Sequence, residues 1–514
     1  MKTVTVQQMR SLDNRTINEA GISGEKLMKT AGEGAAKEIL NFIAGLHQDH
    51  IKRFIIFAGK GNNGGDAYVT ARYLYENCNI PLVIYAVSNT EELKGDAYIH
   101  ATRLPKEIPH LIYHESKPIF RKGDIIIDAL LGTGVNGNLR PPYDSIIKDI
   151  NNSGMPVVSL DIPSGLNGNN GCSATDVVKA DLTITMGLPK RGFLFHRGPE
   201  LCGRLKCIDI GIPQNFIDSI PSEFNMIFSD DIKILKRRPM NSFKNKNGHI
   251  LVIGGSYKYP GAPLLTAKAA MRSGAGLVTL AVPESAKITN PNMHSIIFRR
   301  VRDSGSGTFS AESIPEIKEL AAHSDIIVAG PGMTPEKEIV PLLQEILSTN
   351  KTIVADADAL NIIAENISLI KNKKGKLILT PHYGEFKRIM RTLKVEIKEL
   401  TVTEKLNHAR LLAKKTDSLI VLKGERTITT DKHGKNAVNC SGSPALATAG
   451  SGDILAGIIA ACTLQGENLF DTTVSAVYIH GLCGEITKYG MRGTTADDLI
   501  NLIPAAMKKI SPFS

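Results

Sequence analysis

The sequence lacks paired cysteines and long apolar runs. Its 7 cysteines are scattered and odd in number, and no two of them form a CxxC pair. This pattern favours reduced thiols in a cytosol and argues against a structural zinc site. No apolar run reaches membrane-spanning length, and residues 1–10 carry polar and charged groups where a signal peptide needs an apolar core. We therefore expect a cytoplasmic protein that does not bind membranes.

Length and composition indicate a globular α/β protein. A chain of 514 residues is too long for one ordinary hydrophobic core, and a hydrophobic fraction of 42% with 46 glycines fits packed α/β domains. The net charge of +10 suits an anionic partner, and phosphorylated nucleotides satisfy that as well as nucleic acid does. The densest basic run, at residues 236–246, is short and precedes a strand-like segment. We interpret it as a solvated stretch and expect no nucleic-acid partner.

Apolar periodicity predicts two helices at the start of the chain, followed by strands. Thr5 and Gln8 match a capping box, and Ser23 can cap a second helix whose apolar residues share one face. From Phe54 onward, short apolar runs such as FIIFA and LVIYA alternate with helical or glycine-rich stretches. This alternation is typical of a mostly parallel sheet covered by helices on both faces.

The alternation occurs twice along the chain. It is interrupted around residues 220–228 and starts again with the run HILVIGG at His249. Each series contains enough apolar runs for a sheet of its own, and no short internal repeat is visible. We therefore predict two α/β domains, at residues 1–220 and 226–514.

A glycine-rich loop follows the first predicted strand. Residues 59–66, GKGNNGGD, open a helical run, so their backbone amides could hold a phosphate at a helix N-terminus. The spacing matches GxGxxG, but the acid that a dinucleotide-binding unit carries after the next strand is absent, because that strand runs into Ser88 and Asn89. The ending of a P-loop is absent as well. A purely structural glycine turn remains the alternative.

Polar residues also follow other strands of the first half. Asp128 precedes the loop LLGTG, and Asp161 and Ser164 lie in the segment DIPSG. Loops at the carboxyl ends of parallel strands converge on one crevice, so these residues could meet Asn63 there. Together they offer oxygen ligands for a hard cation and a carboxylate for proton transfer. Each aspartate alone could equally cap a helix.

The motifs NNGGD, DALLGTG, DIPSG and MGLPK occur in this order and resemble the NAD(P)H-hydrate epimerase family over nearly all of residues 1–218. The resemblance implies a Rossmann-like domain that interconverts the R and S epimers of hydrated NADH and NADPH (NADHX and NADPHX) at carbon six of the nicotinamide ring. It also implies a potassium ion held by Asn63, Asp128 and Ser164. We assign proton transfer or substrate orientation at carbon six to Asp161, which ends a strand beside the cation loop. The substrate contacts that the resemblance implies are Asn62, Asn63, Gly64, Gly65, Asp66, Gly132, Thr133, Gly134, Val135, Asn136, Gly137, Asn138 and Asp161.

The most informative segment of the second half is TAGSGD, which ends at Asp453 and precedes the apolar helix ILAGIIAACTL. Glycines at a helix start allow backbone amides to point at a transferring phosphoryl group, and an aspartate there can accept a proton from an attacking hydroxyl. The alternative is an aspartate that only stabilises the first helical turn. Other strand ends place Asp356, His382 and Lys423 near the same crevice, although His382 alone could equally be a packed or surface histidine.

Residues 240–510 resemble the ADP- or ATP-dependent NAD(P)H-hydrate dehydratase family, a branch of the ribokinase-like fold. The matching pieces include LVIGGS, VAGPGM, DADALN, LTPHYGEF and ATAGSGDILAGIIAA. The resemblance implies magnesium together with ADP or ATP as co-substrate. The implied hydrate contacts are Gly276, Gly332, His382 and Asp453. The implied nucleotide contacts are Lys423, Gly424, Glu425, Arg426, Thr427 and Gly452.

The two resemblances together imply a bifunctional repair enzyme. Phosphorylation of the 6-hydroxyl, with Asp453 as base, would turn it into a leaving group, and loss of phosphate would restore the dihydropyridine. The dehydratase family acts on the S epimer only, so an epimerase on the same chain would prevent the R epimer from accumulating. The alternative is a ribokinase-like small-molecule kinase with an N-terminal binding module. We also expect a homo-oligomer whose partners are these small molecules.

Overall fold

The computed structural model describes residues 1–45, 51–134, 139–172, 176–233, 235, 237–289, 294–397 and 401–511. The chain divides into two compact units, Met1–Met226 and Ile227–Ser514. The division falls inside the irregular segment 220–228. Both units are α/β and their sheets are predominantly parallel, so the predicted fold class is confirmed.

Unit 1 contains a seven-stranded sheet in which all neighbouring strands are parallel. Its strands are β1 Arg53–Ala58, β2 Leu82–Ala86, β3 His110–Ile112, β4 Asp124–Ala129, β5 Val157–Leu160, β6 Leu182–Met186 and β7 Arg204–Ile208. Their order across the sheet is β3-β2-β1-β4-β5-β6-β7. The chain reverses its winding direction between β1 and β4, and the loops after these two strands leave a crevice between them.

Helices cover both faces of this sheet. They are α1 Val6–Asn18, α2 Gly24–Ala44, α3 Asn62–Asn77, α4 Gly95–Thr102, α5 Tyr143–Asn152, α6 Gly198–Leu201 and α7 Gln214–Ser219. The predicted caps are confirmed: Gln8 N donates to Thr5 Oγ1 (3.1 Å), Thr5 N donates to the Gln8 side chain (2.8 Å), and Ser23 caps α2. One prediction needs correction, because the NNGGD segment forms the first turn of α3 and is not a loop ahead of it. A side chain at Gly64 would collide with the Gly59 carbonyl, so only glycine lets the helix begin this close to β1.

Unit 2 contains a ten-stranded sheet in the order β11-β10-β9-β12-β13-β14-β15-β16-β17-β8. Its strands are β8 Met226–Ile227, β9 His249–Ile253, β10 Leu277–Pro283, β11 Ile297–Val301, β12 Ile326–Ala329, β13 Thr352–Ala355, β14 Leu377–Leu379, β15 Leu419–Leu422, β16 Ile428–Thr430 and β17 Asn436–Asn439. The strands from β11 to β15 in this order are parallel, whereas β15 pairs with β16, and β16 with β17, in antiparallel orientation. The carboxyl ends of β12 to β15 therefore meet at one edge.

The helices of unit 2 are α8 Ala262–Arg272, α9 Ile314–Ala322, α10 Val340–Leu347, α11 Asp358–Glu365, α12 Tyr383–Thr392, α13 Val402–Thr416, α14 Ser451–Thr463, α15 Leu469–Ile486, α16 Gly490–Gly493 and α17 Ala496–Ile510. Helices α14 and α15 are buried along most of their length and pack in the core of the unit. This burial explains why both are apolar all round. No helix among the described residues is long and apolar enough to cross a membrane.

Candidate active sites

The crevice of unit 1 is a cavity of about 1000 Å³ at the carboxyl ends of β1 and β4. It is lined by most of the predicted substrate residues of this half, namely Asn62, Asn63, Asp66, Gly132, Thr133, Gly134 and Asp161. Gly64 and Gly65 lie in the same first turn of α3 but pack inward against neighbouring backbone and side chains. Val135, Asn136, Gly137 and Asn138 lie outside the described residues. The structure thus brings together residues from loops far apart in the sequence.

Asp128, the penultimate residue of β4, is fully buried and is not among the residues that line the cavity. Its carboxylate accepts hydrogen bonds from Ser164 Oγ (2.6 Å), Ser159 Oγ (2.8 Å) and the backbone N of Ser164 (2.9 Å). Burial raises the pKa of Asp128, and the hydrogen bonds from Ser164 and Ser159 oppose that rise. The hydrogen bonds fix Asp128 and Ser164 side by side.

Asn63 completes the group of predicted cation ligands. Its side-chain nitrogen donates to the Leu131 carbonyl (3.1 Å), which is also 3.3 Å from Ser164 Oγ. The amide oxygen Oδ1 of Asn63 is buried and has no hydrogen-bond partner among the described residues. An unsatisfied buried oxygen beside a carboxylate and a hydroxyl is chemically suited to a hard cation. The residues present therefore fit the potassium ion that the sequence predicted.

Asp161 forms an ion pair with Lys190 at the wall of the same cavity. The side chain of Lys190 is only 1% exposed, and its Nζ also donates to Thr185 Oγ1 (2.9 Å) and the Met186 carbonyl (3.1 Å). Asp161 has a φ of 61°, in the left-handed region that aspartate tolerates better than most residues. Lys190 belongs to the MGLPK motif but was not predicted as a site residue, and the structure identifies it as the partner of Asp161.

Two further acids face this ion pair. Burial raises the pKa of Asp13 to about 6 and that of Asp66 well above its usual range, and the Asp161 charge adds to both shifts. Both residues line the cavity. Asp66 was predicted as a substrate contact, whereas Asp13 lies on α1 and was missed. The crevice therefore holds three carboxyl groups around one buried ammonium, which is the kind of charge arrangement found where protons are exchanged.

In unit 2, helix α14 begins at Ser451 directly after Gly450, whose φ of 87° suits glycine. Asp453 lies in the first turn of this helix, as the sequence predicted. Burial raises the pKa of Asp453 to about 7, and the charge of Asp356 adds to this shift while Lys423 opposes it. A carboxyl group with this pKa is suited to accept a proton near neutral pH.

Lys423 connects the strand ends of this second site. Its Nζ lies 2.7 Å from Asp356 Oδ1, which also accepts a hydrogen bond from Thr380 Oγ1 (2.7 Å). These residues follow β15, β13 and β14 respectively. A methyl group at Gly452 would lie 3.3 Å from Lys423 Nζ, so the start of α14 approaches the ion pair closely. Burial is the largest single influence and lowers the pKa of Lys423, but the charges of Asp356, Glu385 and Asp453 and the hydrogen bond to Asp356 together outweigh it, so the net shift is upward.

The remaining predicted nucleotide contacts follow Lys423 in the chain and form the connection between β15 and β16. This connection is held by Thr427 Oγ1, which donates to the Gly424 carbonyl (3.2 Å), and by Arg426, which donates to the Cys440 carbonyl (3.1 Å). Glu425 lies 3.7 Å from Lys405. The structure thus keeps Gly424, Glu425, Arg426 and Thr427 at the same edge of the sheet as Lys423.

His382 caps the N-terminus of helix α12, and this capping role was not predicted from the sequence. Its Nδ1 accepts a hydrogen bond from Gly384 N (3.0 Å), and its Nε2 lies 3.4 Å from Glu385. Burial lowers the pKa of His382, and burial raises the pKa of Glu385 to about 7. The imidazole side chain is 59% exposed, so substrate contact through its ring face or edge stays a prediction. Gly332 follows β12 and packs against Tyr259 with a φ of 69°.

Gly276 does not join this site. It directly precedes β10, whose carboxyl end at Pro283 is seven residues further along. Its backbone N donates to the carbonyls of Asn247 (3.3 Å) and Gly248 (3.1 Å), and a side chain here would collide with the Lys244 carbonyl. A strand of that length separates the two edges of a sheet by roughly 20 Å. The predicted contact between Gly276 and the hydrate is therefore wrong, because this glycine serves close backbone packing at the opposite edge.

Comparison with known proteins agrees with this arrangement. The family described as NAD(P)H-hydrate dehydratase matches residues 250–505, and the family described as YjeF-related protein N-terminus matches residues 24–192. The bifunctional NAD(P)H-hydrate repair enzyme of Coxiella burnetii is 34% identical over 96% of both chains. That of Archaeoglobus fulgidus is 34% identical over the full length of both. The chain belongs to the bifunctional NAD(P)H-hydrate repair enzyme family.

Membership in this family confirms the resemblances found in both halves of the sequence. Among solved structures, unit 2 is similar to the ADP/ATP-dependent NAD(P)H-hydrate dehydratase of Bacillus subtilis co-crystallised with ATP and Mg²⁺. The sequence identity is 25% and the TM-score is 0.47, with coverage of 56% of this chain and 99% of that one.

Proposed function

We propose that unit 1 interconverts the R and S epimers of NADHX and NADPHX, and that unit 2 uses ADP or ATP to dehydrate the S epimer back to NADH or NADPH with release of phosphate. One observation carries the proposal: each unit has a largely buried acid beside a lysine at the carboxyl edge of its sheet. These acids are Asp161 in unit 1 and Asp453 in unit 2. The family described above repairs this class of substrate. One chain would therefore convert both epimers to the intact coenzyme.

In unit 1, epimerisation requires a bond at carbon six to break and form again. We assign to Asp161 the removal of the proton from the 6-hydroxyl, which lets the bond between carbon six and the ring nitrogen open to an aldehyde. The ring nitrogen takes up a proton as its bond to carbon six breaks. When the nitrogen attacks the other face of the aldehyde, the ring closes, the nitrogen loses this proton and the oxygen regains one. Lys190 positions Asp161 through the buried ion pair. The raised pKa values of Asp13 and Asp66 make them suitable reservoirs for the second proton.

The group Asn63, Asp128 and Ser164 would hold potassium, whose positive charge would order the loop after β4. Asp128→Ala should abolish potassium dependence and most epimerase activity, because it removes the only carboxylate of the three ligands. The measurement is the epimerisation rate at increasing potassium concentration, followed by chromatography of the two epimers without nucleotide.

Ser159→Ala is the matched control for this variant. It removes one hydrogen bond to the same buried carboxylate (2.8 Å) without removing a proposed ligand. We expect it to retain potassium dependence. Full activity of Asp128→Ala in potassium-free buffer would show that the cation assignment is wrong.

In unit 2, we propose that Asp453 accepts the proton of the 6-hydroxyl while the oxygen attacks the terminal phosphoryl group of the nucleotide. Backbone amides at the start of α14 stabilise the charge on that group. Phosphate then leaves with the electrons of its bond to carbon six, and a proton departs from carbon five to form the double bond. The products are the reduced coenzyme, inorganic phosphate and the shortened nucleotide.

Magnesium would accompany the nucleotide phosphates, whose charge it neutralises. Among the described residues, no three His, Cys, Asp or Glu side chains form a metal-binding group. Magnesium commonly uses only one or two carboxylates together with phosphate oxygens and water. Asp356, which follows β13 in the same site, is a carboxylate of this kind.

The pH dependence of dehydration tests the role of Asp453. A base must be deprotonated to act, and burial holds the pKa of Asp453 at about 7. We therefore expect the dehydration rate at saturating substrate to rise roughly tenfold per pH unit below pH 7 and to level off above it. The measurement is initial rate against pH in buffers of constant ionic strength. A rate that is flat across pH 6 to about 8 would contradict the assignment.

Product analysis separates this function from the kinase alternative. Incubation of the full chain with mixed hydrate epimers and ADP or ATP should restore the absorbance of the reduced coenzyme and release equimolar inorganic phosphate. A kinase would instead yield a stable phosphorylated product. Nucleotide preference will emerge from the same assay, while the homo-oligomeric state and the cytoplasmic location stay predictions.

A further inference from the structure

A second cavity adjoins the crevice of unit 1. It has a volume of about 580 Å³ and runs along the exposed face of α1. It shares Arg10 and Thr133 with the first cavity. Its other walls are polar and include Gln7, Ser11 and Asn14 of α1 and Asn167 and Asn169 of the loop after β5. We call this cavity the α1 groove.

Hydrogen bonds within unit 1 hold the walls of the α1 groove in place. Asn169 Oδ1 accepts a hydrogen bond from Val6 N (2.8 Å), which ties the loop after β5 to the start of α1. Asn167 Oδ1 in turn accepts from the backbone N of Asn169 (2.9 Å). A helix face that only contacted solvent would be convex, with no loop packed opposite it. Here the polar face of α1 forms one side of a concave site at the same sheet edge as Asp161.

Arg10 lies at the junction of the two cavities. A methyl group at Gly134 would be 3.6 Å from Arg10 Nη2, so the guanidinium lies against the loop after β4. Arg10 has no ion pair or hydrogen bond with any described residue. Arg15, one and a half turns later on α1, is by contrast held by Glu19 (3.1 Å) and Ser219 (3.0 Å). An uncommitted guanidinium between two cavities points to an anionic ligand group at that position.

We propose that Arg10 binds the diphosphate of the hydrated dinucleotide and that the α1 groove holds its adenosine end. The proposal rests on the epimerase function of unit 1. With the nicotinamide ring at Asp161 in the first cavity, the diphosphate, which carries the two negative charges of NADHX, must cross the junction if the adenosine is to reach the second. The polar side chains of the groove supply hydrogen-bond partners for a ribose and an adenine.

The test compares Arg10→Gln with the wild-type full chain in nucleotide-free epimerisation of NADHX, with ADP-ribose as an inhibitor that lacks the nicotinamide. Loss of a charge-assisted contact should raise KM and the ADP-ribose inhibition constant together, by about tenfold to a hundredfold. The value of kcat should change by less than about threefold, because the contact is equally strong before and during reaction. Arg10→Lys should recover part of the loss.

Two comparisons make the result specific. Arg197→Gln removes the same charge from an exposed arginine of unit 1 that pairs with Glu200 outside both cavities, and its KM should equal that of the wild type. Asn14→Leu should raise KM for NADHX but not for the hydrate of the reduced nicotinamide mononucleotide, which does not extend into the groove. Unchanged KM and inhibition constants in Arg10→Gln, or an equal rise in Arg197→Gln, would overturn the proposal. A wild-type chain that does not epimerise would instead refute the proposed function.

Discussion

Asp453→Asn should abolish nucleotide-dependent dehydration while leaving epimerisation unchanged. The substitution preserves the size of the side chain and its place in the first turn of α14, but removes the carboxylate that we propose as acceptor of the hydroxyl proton. Loss of a general base costs on the order of a hundredfold to ten-thousandfold in rate. The measurement is the dehydration rate at saturating ADP or ATP, with the epimerase rate of the same preparation recorded in parallel.

Thermal stability provides an independent check on this variant. The folded-state pKa of Asp453, about 7, lies above its ordinary value of 3.8, so the folded chain loses stability through this group as the pH rises between those values. Asparagine avoids that loss, and Asp453→Asn should melt above the wild type at pH 8, with a smaller difference at about pH 5. Asp471→Asn, in the first turn of α15 and exposed, is the control and should keep full dehydration. A lower melting temperature with both activities lost would make Asp453 structural.

Asp161→Asn should slow epimerisation by on the order of a hundredfold to ten-thousandfold and leave dehydration of the S epimer intact. Asparagine adopts the left-handed φ of 61° as readily as aspartate does, so the backbone need not move. The expected effect is on kcat, because the proton acceptor is lost while the cavity keeps its shape. The measurement is conversion of pure R epimer to S epimer without nucleotide.

This substitution also leaves the buried Lys190 without its counter-ion, which costs up to about 3–5 kcal/mol of folding stability. The double variant Asp161→Asn/Lys190→Met separates the two effects, because it removes both charges. We expect its melting temperature to recover towards that of the wild type while epimerisation stays lost. Wild-type epimerisation in Asp161→Asn would return this residue to a purely structural role.

Much of the fold could be predicted from the sequence because the central strands are buried on both faces. Runs such as FIIFA at β1 and HILVI at β9 are therefore continuously apolar and easily recognised. The edge strands are harder to recognise for the opposite reason. In β7 and β11, exposed and polar residues interrupt the apolar pattern, and β3 is only three residues long. The caps at Thr5 and Ser23 were predictable because they depend on neighbours in the sequence.

Some site residues could be predicted from the sequence and others could not, for similar reasons. Asp128, Asp161 and Asp453 were predicted because each stands where a strand ends or a helix begins, and these positions converge in space. Lys190 was missed because lysine is seldom buried, and the residues around it in the sequence do not indicate a partner 29 residues away. Gly276 was misplaced because it was carried over from the family resemblance, although it directly precedes β10 and the site lies at the carboxyl ends of the strands. Which side chains pair, and which residues meet at one edge of the sheet, depends on how the strands assemble.

The left-handed backbone at position 161 restricts which residues evolution can place there. Glycine, asparagine and aspartate accommodate this conformation at low cost, and β-branched residues do so least. Of these three, only aspartate carries a charge that can satisfy the buried ammonium of Lys190. The backbone conformation alone would thus allow three residues at position 161, and the need to neutralise Lys190 leaves aspartate among them. Glutamate, the usual conservative exchange for aspartate, is not one of the residues that this conformation favours.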